Sequence, residues 1–139
     1  MKRFVLDASI TLAWFIDPLV APLAARAQRL LLQGDRAIVP HLWWPEVANG
    51  FVVAQRRGIL TATRSAQAFA ELDILLAQSI ESVSYGLSIQ HVVTTAQSFA
   101  LTAYDATYLE TARELHLPLA TLDRRLAAAA GQAGVQLLS

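Results

Sequence analysis

The chain has 139 residues, a length that suits one hydrophobic core, and we expect residues 1–139 to form a single domain. It contains no cysteine, which excludes disulfides, thiol catalysis and thiolate metal sites. Eleven basic residues balance eleven acidic ones, so the chain as a whole is not a polycation made for nucleic acid. No apolar run approaches the roughly 18 residues of a membrane helix, and the N-terminus does not resemble a signal peptide, so we expect a cytoplasmic protein.

Short, almost wholly apolar runs alternate along the chain with segments whose apolar residues recur at helical spacing. Ser9 and Thr61 suit the N-caps of the helices that follow them, and Gly58 suits a C-terminal cap. In chain order the predicted elements are strand 3–6, helix 9–15, helix 19–33, strand 36–39, helix 45–57, helix 62–77, strand 79–83, helix 88–99, helix 103–115, strand 117–122, helix 123–130 and strand 135–138. This alternation is typical of an α/β fold with a parallel sheet covered on both faces, whose strands all end at one edge.

Four of the eleven acidic residues fall where that carboxyl edge is expected. Asp7 and Asp123 each follow an apolar strand, and Glu46 lies in the first turn of the helix after the second strand. Asp105 lies in the first turn of its helix, on the apolar face. Taken singly, these acids have plainer explanations: Asp7 can cap its own turn or pair with an arginine, and any helix N-terminus favours a carboxylate by about 0.3–1 kcal/mol.

Taken together, four carboxylates at one edge predict a cation site. Like charges that converge in a partly buried cleft repel one another, so at least one carboxyl pKa should rise. Carboxylate oxygens without histidine or cysteine favour Mg²⁺ or Mn²⁺, and water bound to such an ion is a nucleophile for phosphoryl chemistry. His41, His91 and His116 show no ligand spacing, and Glu110 and Glu114, four residues apart, are expected on a solvated helix face.

Polar residues with the right spacing accompany these acids. Asn49 follows Glu46 by three residues and therefore shares its helix face. Thr121 precedes Asp123 by two residues and therefore points to the same side of its strand.

Four longer segments contain these residues: Val5-Leu6-Asp7-Ala8-Ser9, Pro45-Glu46-Val47-Ala48-Asn49, Leu101-Thr102-Ala103-Tyr104-Asp105-Ala106-Thr107-Tyr108-Leu109 and Leu119-Ala120-Thr121-Leu122-Asp123-Arg124-Arg125-Leu126. In this order and at these spacings they resemble the motifs of the PIN-domain ribonucleases, and most closely those of the VapC-type toxins of bacterial and archaeal toxin–antitoxin pairs. The resemblance covers nearly the whole chain.

This resemblance implies an α/β/α sandwich with a central parallel sheet of about five strands and a Mg²⁺- or Mn²⁺-dependent endoribonuclease activity. Asp7, Glu46, Asp105 and Asp123 would be the acidic metal site and the catalytic residues, and the supporting polar groups would be Ser9, Asn49 and Thr121. The implied partners are a small antitoxin and a second copy of the chain in a homodimer.

The implied substrate is RNA, and single-stranded or loop regions are favoured because specific RNA readers usually need unstacked bases. Candidate phosphate contacts are Arg56, Arg57, Arg124 and Arg125, although solvated helix ends explain these arginines equally well. Two other functions are compatible with the fold class. A phosphoacceptor domain would need a well-placed lysine, and the single lysine, Lys2, comes too early in the chain; a catalytically silent binding protein would act only through a partner.

Overall fold

The computed structural model describes residues 1–83 and 87–139. In these ranges four strands and seven helices alternate in the order β1 (Arg3–Leu6), α1 (Ala8–Ile16), α2 (Pro22–Leu32), β2 (Arg36–Pro40), α3 (Trp43–Arg56), α4 (Ala62–Gln78), β3 (Ile80–Val83), α5 (Ile89–Phe99), α6 (Ala103–Leu115), β4 (Leu119–Ala120) and α7 (Arg124–Gln132). None of the helices described is both long enough and apolar enough to cross a bilayer.

The strands form a parallel sheet in the order β3-β2-β1-β4. Val5 in β1 lies opposite Ile38 of β2 on one side and Leu119 of β4 on the other. The last predicted strand is reduced to one parallel bridge between Leu119 and Leu137. The predicted α/β fold is therefore confirmed, with four strands and this bridge where about five strands were expected.

The two central strands are apolar because helices cover both of their faces. Successive strand residues point to opposite faces, yet Phe4, Val5 and Leu6 are all buried, as are residues 37–40. Helix α6 contacts β1, β2 and β4 and buries Tyr108 and Leu109 completely. The order of the strands reverses at β1, because the chain goes first to β2 on one side and later to β4 on the other. In open parallel sheets that reversal leaves a crevice at the carboxyl ends.

Three helices begin at hydroxyl N-caps, and the one at Thr61 confirms the prediction. The hydroxyl groups of Thr61, Ser88 and Thr102 each accept a hydrogen bond from the backbone N–H three residues later. The prediction for Ser9 is wrong, since Asp7 is the N-cap residue of α1 and makes no side-chain capping bond. Ser9 is the second residue of the helix, and its hydroxyl is engaged elsewhere, as described below.

Two helix starts also differ from the sequence-based boundaries. Helix α2 begins at Pro22 rather than near Leu19, since proline is well suited to the first helical position. Helix α3 begins at Trp43, which leaves Pro45 in the first turn, where its missing N–H would have had no helical partner.

The prediction that Glu110 is solvated is wrong. This side chain is on the inner side of α6, and the residue is only 9% exposed. Its Oε1 accepts a hydrogen bond of 2.5 Å from the Thr95 hydroxyl and one of 3.2 Å from Arg113. Thr95 is buried in α5, so the Glu110 carboxylate joins α5 to α6. The prediction failed because the i, i+4 spacing of Glu110 and Glu114 says nothing about a threonine in another helix.

Replacing Ser65 by alanine is expected to stabilise the protein. Its Oγ is buried in α4, with the residue 1% exposed, and finds no hydrogen-bond partner among the described residues. Removing an unsatisfied buried hydroxyl recovers about 1–3 kcal/mol, so the Tm of Ser65→Ala should rise by roughly 3–8 °C in a thermal melt. The matched control is Ser98→Ala, which makes the same change at an exposed helical position. A Tm for Ser65→Ala no higher than that of the control would contradict the prediction.

Candidate active site

The four acids predicted from the sequence line one cleft of about 270 Å³ at the carboxyl edge of the sheet. They come from four separate segments: the end of β1, the first turn of α3, the first turn of α6 and the loop after β4. The lining residues are Asp7, Ala8, Ser9, Leu12, Glu46, Asn49, Asp105 and Asp123. The structure thus brings together all four acids with Ser9 and Asn49, while Thr121 lies behind Asp7 and contacts it directly.

Asp7 is the most enclosed of the four, with 6% of its surface exposed. Its backbone N–H donates to the carbonyl of Ala120 at 3.0 Å, which extends the pairing of β1 with β4 by one residue. The hydroxyl groups of Ser9 and Thr121 both donate to its Oδ2, each at 2.7 Å. Burial raises the pKa of the Asp7 carboxyl, the two hydroxyl bonds oppose that rise, and the charge of Asp123 adds to it.

The same two hydroxyls hold the loop after β4. Ser9 Oγ accepts a hydrogen bond of 3.0 Å from the N–H of Leu122, and Thr121 Oγ1 accepts one of 3.0 Å from the N–H of Asp123. Each hydroxyl therefore donates its one hydrogen to Asp7 and accepts a hydrogen bond from the loop. The Asp7 carboxylate is fixed relative to the loop that carries Asp123.

Asp123 is itself the N-cap of α7. Its Oδ1 accepts hydrogen bonds from the backbone N–H groups of Arg125 at 2.8 Å and Leu126 at 3.0 Å. This capping explains why an aspartate suits the end of this loop, but the residue still lines the cleft.

Glu46 is held by Tyr108 of α6, a residue of the third motif segment for which the sequence predicted no role. The hydroxyl of Tyr108 donates to Glu46 Oε1 at 2.6 Å, and the tyrosine ring is fully buried. Burial raises the pKa of Glu46, the bond from Tyr108 lowers it, and the charges of Asp7 and Asp105 raise it. Burial and the bond to Glu46 also raise the pKa of Tyr108, which stays a neutral donor. The sequence did contain one indication that Tyr108 faces the cleft: it follows Asp105 by three residues and so lies on the same helix face.

Asp105 lies half-buried in the first turn of α6, which is capped by Thr102. Burial raises the pKa of the Asp105 carboxyl, and the charges of Asp123 and Asp7 raise it further. Arg125 lowers it, as the last and smallest of the causes. The arginine of α7 is therefore close enough to act on the cleft, although it does not neutralise Asp105.

No salt bridge in the described part of the chain includes any of the four acids. Nor do three histidine, aspartate or glutamate side chains in residues 1–83 and 87–139 converge closely enough to form a ready metal cage. The cleft therefore combines raised carboxyl pKa values with little positive charge. The side-chain atoms that could ligate a metal here are oxygens, which suit a hard ion such as Mg²⁺. That ion commonly keeps several waters and binds through only one or two carboxylates.

The four predicted phosphate contacts occupy two different places. Arg124 and Arg125 are exposed in the first turn of α7, directly after Asp123. Arg56 ends α3, and Arg57 follows it, so both are separated from Glu46 by ten residues or more. At 1.5 Å per residue that distance is about 15 Å along the helix axis. Only the first pair directly follows a residue that lines the acidic cleft, although neither arginine lines it.

The model of the family described as "PIN domain" matches residues 4–132. The crystal structure of PAE2754 from Pyrobaculum aerophilum is similar to this chain, with a TM-score of 0.66 and 24% sequence identity over 92% of this chain and 84% of that one. At that identity the likeness shows a shared fold. No curated protein matches the sequence. Because the family model spans almost every described element and the structure has the corresponding parallel α/β architecture, this chain belongs to the PIN domain family.

Proposed function

We propose that this protein is a Mg²⁺- or Mn²⁺-dependent endoribonuclease that hydrolyses RNA phosphodiester bonds, and that it is the toxin of a VapC-type toxin–antitoxin pair. Membership of the PIN domain family supports a nuclease-type function in general. The observation that carries the sharper proposal is the cleft, in which four segments distant in sequence contribute carboxylates and no described salt bridge neutralises them.

The donor set of the cleft fits a hard divalent ion. Asp7 and Asp105 are the firmest proposed ligands, directly or through water, and Asp123 completes the site; Glu46 either ligates the ion or orients the attacking water. Such an ion would offset the repulsion that contributes to the raised carboxyl pKa values. When bound, it supplies charge neutralisation at the phosphate and makes a coordinated water more acidic.

The protein's own groups have separable roles in this proposal. Ser9 and Thr121 hold the Asp7 carboxylate in one orientation. Glu46, fixed by the bond from Tyr108, orients the attacking water and accepts its proton, a role that a carboxylate with a raised pKa performs well. Asn49 is exposed at the cleft wall and can donate its amide to a phosphate oxygen.

Single-stranded RNA is the proposed substrate. The cleft volume, about 270 Å³, is just below the roughly 300–1,000 Å³ of small-molecule sites, which is room for about one nucleotide unit. Specific RNA readers usually need unstacked bases, which favours a single strand over a duplex. Arg124 and Arg125, directly after Asp123, are the proposed contacts for the neighbouring phosphates, and Arg56 and Arg57 could contact only more distant ones.

The proposed protein partners are a cognate antitoxin and a second copy of the chain, in the cytoplasm. A mostly apolar groove of about 230 Å³ between α3 and α4 has the character of a surface that receives an apolar helix. Trp44, 47% exposed, and Phe69, 45% exposed, lie in this groove, which we assign to the antitoxin.

A catalytically silent PIN-fold binding protein is the alternative. One observation favours it: the described acids do not form a ready cage for an ion. Failure of the wild type to cleave any RNA, with or without added Mn²⁺, would support this alternative over the nuclease.

The first prediction from this proposal concerns Asp7. In an assay with single-stranded RNA and Mg²⁺, Asp7→Asn should lower kcat/KM by about 100-fold or more, because it removes a preorganised charge from the reaction site. EDTA should abolish the activity of the wild type. Glu114→Gln, which removes an exposed acid of α6 outside the cleft, should retain wild-type activity. Cleavage that survives Asp7→Asn would contradict the proposed role.

The second prediction concerns metal and pH. The folded-state pKa values of Asp7, Glu46 and Asp105 are raised, so the stability these groups contribute is fully present at low pH and is lost as pH rises through those values. Mn²⁺ should therefore raise the Tm at pH 7. The rise should fade on acidification, starting above the ordinary carboxyl values of 3.8 and 4.5.

Differential scanning fluorimetry with and without Mn²⁺ across a pH series measures this rise. Asp105→Asn should reduce it strongly, whereas Asp73→Asn, an exposed acid of α4, should leave it intact. No Mn²⁺-dependent rise at pH 7 in the wild type would count against the metal site.

The third prediction concerns Tyr108. Tyr108→Phe removes the hydrogen bond that lowers the pKa of Glu46, so that pKa should rise further and the acid limb of the kcat/KM profile should move to higher pH. We expect a loss of about tenfold at neutral pH, in line with the effect of disturbing a partner that orients a ligand. The control is Tyr104→Phe, since that tyrosine is 66% exposed. Superimposable profiles for the two variants would exclude this role for Tyr108.

A further inference from the structure

Leu12 of α1 is an apolar side chain in the wall of an otherwise acidic cleft. Among the described lining residues only Ala8 and Leu12 are apolar, and alanine has no side chain beyond Cβ. Carboxylates can bind an ion that contacts a phosphate, but they offer no apolar contact surface to a ribose or to the face of a base. The end of Leu12 is such a surface.

Leu12 can lie there because residue 50 of α3 is glycine. A Cβ placed on Gly50 would come within 2.4 and 2.6 Å of the two Cδ atoms of Leu12 and within 3.0 Å of its Cγ. Carbon atoms in contact normally stay about 3.5–4.0 Å apart, so no side chain fits at this position unless Leu12 moves. The bare backbone of Gly50 is thus the recess that holds the leucine end.

The direction in which Leu12 would move follows from its surroundings. Its neighbours in α1, Thr11 and Ala13, are buried, as is Phe51 beside the glycine in α3. A close-packed interior does not yield easily, whereas the cleft that Leu12 lines is open. A methyl group at residue 50 would therefore push the leucine end into the cleft.

We propose that Leu12, held in the recess of Gly50, positions the sugar and base of the nucleotide whose phosphate lies over the acids. This inference rests on the proposed ribonuclease function and adds to it a contact for the uncharged part of the substrate. It makes Leu12 a positioning residue and Gly50 the residue that sets the width of the cleft.

The test uses four variants: Gly50→Ala, Leu12→Ala, the double variant and Gly131→Ala. Gly131 is the matched control because it also lies in a helix, and a Cβ there would meet nothing within 4 Å. The measurements are kcat and KM on a short single-stranded RNA, the dissociation constant of the same labelled RNA by fluorescence anisotropy in Mn²⁺, and the Mn²⁺ midpoint by thermal shift.

Gly50→Ala should raise KM about tenfold with a Mn²⁺ midpoint within twofold of the wild type. Leu12→Ala should raise KM about fivefold at nearly constant kcat, as expected for a lost binding contact. The double variant should match Leu12→Ala within twofold, because the added methyl group no longer has a leucine to displace. Gly131→Ala should behave as the wild type.

An unchanged KM in Gly50→Ala, or a Gly50→Ala effect that persists when Leu12 is alanine, overturns the inference. If Gly50→Ala does not fold, Leu12→Ala decides: a raised KM supports the contact and an unchanged KM overturns it. A wild type that cleaves no RNA contradicts the proposed function and not the Leu12 contact. In that case the dissociation constants test the contact: the same pattern among the four variants supports it, and its absence overturns it. A wild type that neither cleaves nor binds RNA overturns both.

Discussion

The buried carboxylate of Asp7 is the constraint on which the cleft depends. A charge that is 6% exposed needs strong partners, and two hydroxyl groups supply them by donating to a single oxygen, Oδ2. Because Ser9 belongs to α1 and Thr121 follows β4, these bonds join the two sides of the crevice where the strand order reverses. The position of Asp123 then follows, since both hydroxyls also accept hydrogen bonds from its loop. One buried charge thereby organises two of the four acids.

The other two acids are held by helices instead of strands, and their electrostatic situation differs. Glu46 and Asp105 are half-buried, and the pKa of each is raised by burial first and by the other acids second. A protein selected only for stability would place an arginine among such groups, yet none forms a salt bridge with them in the described residues. Uncompensated charge of this kind lowers stability when the carboxyls ionise, and functional sites are where such a cost is commonly found.

Features that depend on local sequence pattern, such as strands and helix starts, were predicted well from the sequence. Apolar runs located the strands, and the hydroxyl cap at Thr61 located the start of α4, because both effects act within a few residues. The carboxyl edge followed from handedness rules, which is why four acids could be assigned to one cleft before any distance was known. Contacts between distant segments were not accessible in this way. The bond from Tyr108 to Glu46 spans 62 residues, and the burial of Glu110 depends on a threonine in another helix.

Helix α3 shows why such contacts matter for function. Its residues at positions 46, 49 and 50 share one face by the i, i+3, i+4 spacing, and this face forms a wall of the acidic cleft. Its Trp44, Val47 and Ala48 line the apolar groove against α4, and Val47 also packs against the core. Cleft and groove are therefore two sides of one helix. A partner that filled the groove would therefore contact the helix that carries Glu46 on the side away from the acids.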